Sequence, residues 1–160
     1  MQLLEKYNEL KNDGKLEEAR KLIGQLAEDN PTDTEVLLEA GSIHKQMEMF
    51  PQAIAFYKDA LELDLSEDER KHVLFHLGAS YRAVGLYDQA KEIFEIGMSE
   101  YPAANEFYIY FAMTLYNLDD TDLALEIMLT KLIETTKDQG ILEHKNEFSF
   151  YASRLDELFN

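Results

Sequence analysis

The apolar positions of this chain recur in a fixed order. Ala19, Ala53, Ala90 and Ala124 are separated by 34, 37 and 34 residues. They lie in the segments KLEEARKLI, MFPQAIAFY, LYDQAKEIF and DTDLALEIM, and each is followed four positions later by a bulky apolar residue: Ile23, Tyr57, Phe94 and Met128. Four residues are about one helical turn, so each pair shares a face and predicts a helix. A second pattern lies upstream of three of these segments. It reads Leu37-x-x-Ala40-Gly41-x-x-His44, then Leu74-x-x-Leu77-Gly78-x-x-Tyr81, then Tyr108-x-x-Phe111-Ala112-x-x-Leu115. This spacing is also helical, and the small residue at Gly41, Gly78 and Ala112 leaves room for a partner helix to come close. Pro31 and Pro102 fall twelve residues after Ala19 and Ala90, where a unit should stop.

A period of 34 residues with these small and large positions resembles the tetratricopeptide repeat. The third unit matches best, through Leu74, Leu77, Gly78, Tyr81, Gly85, Tyr87, Ala90, Phe94 and Pro102. The second has Leu65 where proline is usual, and the fourth has Thr136 there. The first is degenerate early, with Lys6 and Tyr7 where Leu-Gly is usual, and regular from Gly14 to Pro31. The resemblance implies an all-α, right-handed solenoid forming a single domain over residues 1–160, with repeats at 2–33, 34–66, 67–104 and 105–138. The three extra residues between Ala53 and Ala90 fall near DLSEDER, where Ser66 and Glu69 read as a capping box and add a first turn to the next helix. Glu67, Asp68 and Glu69 suit that helix N-terminus. After Gly140, the stripe Phe148, Tyr151, Ala152, Leu155, Leu158 and Phe159 predicts a capping helix over 141–159, giving nine helices in all.

The second half also resembles a group of bacterial tetratricopeptide-repeat proteins of unassigned function. The likeness rests on Gly78, Ser80 and Tyr81-Arg82, on the aromatic fourth repeat with Tyr108 and Phe111, and on Tyr151-Ala152. It implies a protein-interaction scaffold that can self-associate, and no reaction.

Composition narrows the partners. The formal net charge is −17, from 32 acidic and 15 basic side chains. Such an acidic protein repels nucleic acid and anionic membrane, and favours basic partners or simple solubility. There is no cysteine, which excludes disulfides, thiolate catalysis and Cys-ligated zinc. MQLLEKYNELKND lacks the basic start and apolar run of a signal peptide, and no apolar run is long enough to span a membrane. A cytoplasmic protein is expected.

Candidate chemistry centres on His72 and His76, four residues apart in KHVLFHLGASYRAVGLYDQA. A catalytic zinc usually takes three protein ligands. The pair supplies two, Val73 stands where HExxH has glutamate, and Glu39 or Glu106 would have to be the third. The alternative, a metal-dependent hydrolase, is therefore weighed against two polar residues on a ligand-facing surface, and the second is favoured. His44 reads as structural, Ser80 as a packing residue and His144 as a surface residue. No phosphate loop, nucleophile elbow or dinucleotide fingerprint is present. No catalytic residue, metal or cofactor is assigned.

The family places its partner groove on the first helix of each pair. Carried over, it is lined by Glu35, Leu38, Glu39, Ser42 and Lys45 in the second unit and by His72, Phe75, His76, Ala79 and Arg82 in the third. In the fourth it is lined by Glu106, Ile109, Tyr110, Met113, Tyr116 and Asn117. The family's clamp for a chaperone's C-terminal carboxylate needs cations, whereas its positions carried over hold Leu4, Asn8, Glu39, His72 and His76, or Leu38, Ser42, His76, Glu106 and Tyr110. The expected function is non-enzymatic binding of a basic, apolar peptide or helix, with a regulatory peptide sensor as a variant. Phe75, Tyr110, Met113 and Tyr116 would be apolar anchors, and Glu39 and Glu106 charge selectors. A homodimer through the same surface or the C-terminal helix is the further possibility.

Overall fold

A computed structural model describes residues 2–158, so Phe159 of the expected C-terminal stripe lies outside the described residues. Ten helices and no strand are found among these residues. They divide into two compact units, Met1–Leu86 and Tyr87–Asn160. The first unit holds α1 (Gln2–Asn12), α2 (Leu16–Asp29), α3 (Thr34–Gln46), α4 (Phe50–Leu61) and α5 (Glu67–Ala83). The second holds α6 (Tyr87–Glu100), α7 (Asn105–Asn117), α8 (Thr121–Thr135), α9 (Gln139–Glu143) and α10 (Lys145–Ala152). No helix among the described residues is long and apolar enough to cross a membrane.

In the first unit each helix packs on the next, and α3 also touches α5. The periodic pairs supply the core: Ala19 with Ile23 and Ala53 with Tyr57 are fully buried, as are Tyr7, Ala40 and Ile43. Gly41 is required by this packing. A Cβ there would stand 2.6 Å from Cε1 of the buried Tyr57 ring, so α4 can approach only a bare backbone. In the second unit α6 packs on α7, α7 on α8, and α8 on α10. Ala90 and Phe94 are fully buried, but Met128, at the corresponding position of the fourth repeat, is 40% exposed. Gly97 on α6 faces the Phe107 ring on α7 and repeats the Gly41 device.

The turn inside each helix pair follows the same period. Gly14, Glu48, Gly85 and Asp119 all have positive φ, between 58° and 78°. Each turn closes a six-residue loop by one backbone hydrogen bond: Lys15 N–H to Leu10, Met49 to His44, Leu86 to Tyr81 and Asp120 to Leu115, at 2.8–2.9 Å. This is the Schellman close of a helix, which glycine adopts freely and an ordinary L-residue adopts at a cost.

The Ser66–Glu69 capping box forms: Glu69 N–H donates to Ser66 Oγ at 3.3 Å, and Ser66 N–H donates to Glu69 Oε2 at 2.8 Å. The helix it starts, α5, has 17 residues and is the longest among those described. The C-terminal expectation needs correction. In place of one helix over 141–159 there are two short ones, α9 and α10, divided at His144, and turns follow Ala152. Of the apolar stripe within the described residues only Ala152 is buried; Phe148, Tyr151, Leu155 and Leu158 are exposed. Short helices in water are held by burial of an apolar face, and here that face is too little covered to carry the helix further.

Candidate functional site

In the first unit the site is built on α3 and α5. Asp33 caps α3 by accepting the Val36 N–H at 3.2 Å, and the Ser66 box starts α5. Between these starts lies an open cleft of about 600 Å³, lined by Asp33, Thr34, Glu35, Leu38, Glu39, Ser42, Asp68, Glu69 and His72. Five of these nine are carboxylates and none is Lys or Arg. Thr34 Oγ1 donates to Glu69 Oε1 at 3.2 Å and ties the two walls.

Glu39 lies on the predicted face but is already engaged. Its Oε2 accepts from the Tyr7 hydroxyl at 2.7 Å and from Lys11 Nζ at 2.8 Å, joining α1 to α3. Burial alone would raise the Glu39 carboxyl, but the bonds from Lys11 and Tyr7 outweigh it and hold the group below the usual carboxylate range. Burial and the Glu39 charge push the Tyr7 hydroxyl up.

The histidine pair is brought together, with ring centroids 4.3 Å apart. His76 stacks on Tyr57 at 6.0 Å and meets the edge of Phe75 at 5.1 Å. Lys45 Nζ donates to His76 Nδ1 at 2.7 Å. With Nδ1 engaged by Lys45, this nitrogen would have to give up that contact before it could ligate a metal. Burial, the Lys45 charge and His72 push the His76 ring down to about 3. Burial also lowers His72, against the pull of Glu39. Among the described residues no group of three or more His, Asp or Glu is placed to hold a metal ion. The geometry thus lends the metal-dependent alternative no support.

Leu38 and His72 line the cleft. Phe75 packs against His76 and under Lys45, whose Nζ is 6.0 Å from the ring centroid. Arg82, in the last turn of α5, has its Nε buried without a hydrogen-bond partner. His44 is buried with Nδ1 2.7 Å from the Ala40 carbonyl, and Ser80 is buried with Oγ donating to the His76 carbonyl at 2.7 Å. Both are the structural residues expected.

In the second unit, Glu106, Ile109, Tyr110, Met113, Tyr116 and Asn117 all lie on α7. Tyr110 stacks on the buried Phe94 ring at 5.4 Å and 11°. Met113 and Tyr116 are turned outward, 39% and 66% exposed. Asn117 keeps its Oδ1 buried without a partner, and Glu106 is exposed in the first turn. Tyr7, Lys11 and Asp68 were missed as members of the site. The capping box marks where Asp68 stands, but nothing in the sequence pairs Tyr7 or Lys11 with a carboxylate about thirty residues away.

Comparison with known proteins bears on the fold. Residues 34–139 match the family model described as Tetratrico peptide repeat. No curated protein matches the chain. Among solved structures, MamA AMB-1 is similar with a TM-score of 0.73 and 18% identity, over 88% of this chain and 76% of that one. MamA RS-1, a double mutant, is similar with a TM-score of 0.67 and 14% identity, over 96% of this chain and 94% of that one. MamA MSR-1 has a TM-score of 0.66 and 19% identity, over 74% of this chain and 66% of that one. At these identities the likeness shows the fold, an α-solenoid of repeated helix pairs.

Proposed function

The chain belongs to the tetratricopeptide-repeat family, and from that premise we propose that it is a non-enzymatic module binding a basic, apolar peptide or helix on the first helices of its repeats. The observation that carries this reading is the α3–α5 cleft, with five carboxylates, no lining cation and Leu38 beside His72. Carboxylates in such a setting recognise ammonium and guanidinium groups by charge-assisted hydrogen bonds. Glu35 and Asp68, exposed in the first turns of α3 and α5, are the principal selectors, since Glu39 shares its charge with Lys11. On α7 of the second unit, Met113 and Tyr116 act as apolar anchors and Glu106 adds charge. Tyr110 and Phe75 back these surfaces from packed positions. A reducing compartment such as the cytoplasm suits a chain without cysteine.

The test is a fluorescence titration with a labelled amphipathic helix of lysine and leucine. Glu35→Lys with Asp68→Lys should weaken binding by about tenfold or more at low salt, and added salt should weaken the wild type. An unchanged affinity in the folded double variant sinks the reading.

Self-association is a second reading, favoured by the exposed apolar side chains of the C-terminal segment: Phe148, Phe150, Tyr151 and Leu155. Sedimentation at micromolar protein should then show a dimer that Phe148→Ser with Leu155→Ser dissociates; a monomer mass for the wild type removes it.

A further inference from the structure

The second unit carries an apolar cavity that partner binding on the first helices does not use. It has a volume of about 330 Å³ and lies between α8, α9 and α10, with Leu129, Leu132, Ile141, Phe148, Tyr151 and Leu155 as its main walls. No side chain that lines it is charged. Leu132, Phe148 and Leu155 remain 43–49% exposed, so the cavity is open to solvent. Its volume is that of a small-ligand site. At about 30 Å³ per methylene-sized group, it takes a tail of about ten carbons. A helix, about 10 Å across with its side chains, does not enter a space of that size. Ala152 and Leu155 also line a second cleft, of about 430 Å³, so the two spaces adjoin. This second cleft is acidic. Asp120, Asp122 and Glu126 reach it from the start of α8, and Asp156 and Glu157 from the turns after α10. Its one lining cation is Arg154, and that group is engaged. Nη1 donates to the Phe150 carbonyl at 2.7 Å, the guanidinium lies over the Phe150 ring at 4.4 Å, and Nε is 3.9 Å from Glu157. The other four carboxylates make no ion pair among the described residues. Asp120 and Asp122 suit the N-terminus of α8, but Glu126 and Asp156 have no such role. Like charges converging on one cleft repel, and a cation between them relieves that cost.

An apolar cavity beside an anionic cleft is complementary to a molecule with an apolar tail and a cationic head. We propose that the two spaces together bind a long-chain primary ammonium, its alkyl tail between α8 and α10 and its head among Asp122, Glu126 and Asp156. The ammonium donates charge-assisted hydrogen bonds to those carboxylates. The tail supplies affinity by leaving water, and the head supplies selection. A dimer through Phe148 and Leu155 would cover the same cavity, so the two occupants compete, and the charge of the rim favours the cation. The inference does not depend on what the α3–α5 cleft binds.

The experiment titrates the full chain with decylammonium, decanoate and butylammonium, each below its micelle concentration, and follows the backbone amides by nitrogen-15 chemical shifts. Decylammonium should give saturable shifts over residues 129–133 and 148–156. It should bind about tenfold or more tightly than decanoate, which has the tail and the wrong charge, and than butylammonium, which has the charge and a short tail. Glu126→Lys with Asp156→Lys, neither of them buried, should abolish the preference for decylammonium over decanoate. Glu35→Lys with Asp68→Lys, in the first unit, should leave that preference unchanged, so this proposal and the reading of the α3–α5 cleft fail separately. Decanoate binding as tightly as decylammonium overturns the proposal. So do shifts that gather at residues 34–38 and 68–72 instead, or a wild-type dimer whose cavity residues do not respond.

Discussion

Glu35 and Tyr116 both stand on the first helix of a repeat, on α3 and α7, yet they belong to surfaces of opposite chemistry. The first unit presents carboxylates around a cleft and holds its aromatic and basic groups in a network: Tyr7 and Lys11 on Glu39, and Tyr57, Phe75 and Lys45 on His76. The second unit presents apolar surface at Met113, Tyr116, Met128, Leu132 and Phe148. The scaffold beneath is the same: each unit sets one glycine against an aromatic ring, Gly41 on Tyr57 and Gly97 on Phe107, and each helix pair turns through one positive-φ residue. The lesson is that the repeat sets the backbone, while the positions it leaves unspecified decide what each unit can bind.

The largest effect should separate the two kinds of aromatic residue. Tyr57→Ala removes a fully buried ring and should cost about 3–5 kcal/mol in urea unfolding. Tyr116→Ala, at an exposed position, should stay within about 0.5 kcal/mol. Similar losses at the two sites would erase the distinction between scaffold and surface. Next come the two glycines that the units share. Gly41→Ala and Gly97→Ala each drive a methyl group into a ring, Tyr57 and Phe107, and should each cost about 1–3 kcal/mol. A neutral result at either would show that the helices there have room to spare.

Acid should act through the network of the first unit. His76 takes a proton near about 6.5 when unfolded but only near about 3 when folded. Between these values the unfolded chain binds a proton that the folded chain does not. Stability therefore rises with pH through that window and falls on acidification, by at most about 1.4 kcal/mol per unit. His72, also lowered, acts with the same sign. Thermal melts from pH 7 to 4.5 should show a decline that His76→Gln flattens; an equally steep decline in that variant assigns the effect elsewhere. The smallest effect is stabilising. Glu48→Gly and Asp119→Gly relieve positive φ in equivalent turns of the two units and should each add about 0.5–1 kcal/mol, read as a higher urea midpoint.

Much of the scaffold was legible because its signals are local and periodic. The Ala53–Tyr57 spacing, the Ser66–Glu69 box and the turn glycines Gly14 and Gly85 each report a nearby geometric need. Glu48 and Asp119 were not legible as turn residues, since they make the same turn without the side chain that advertises it. The C-terminal helix was overestimated for a different reason. An apolar stripe predicts a helix only if something covers it, and Leu158 is 91% exposed. The candidate site was half legible. Repeat register placed Glu39, His72 and His76 on neighbouring helices, but the partners that set their charge, Lys11, Tyr7 and Lys45, lie 28 to 32 residues away and carry no mark of it.

The central claim is that the acidic cleft of the first unit receives the basic side chains of a partner. Nitrogen-15 chemical-shift mapping during titration with the lysine–leucine helix tests it most directly. Saturable shifts at the backbone amides of Thr34–Leu38 and Asp68–His72, lost in Glu35→Lys with Asp68→Lys, are the predicted result. Shifts that bypass those two stretches, or that persist unchanged in the charge-reversed protein, would contradict it.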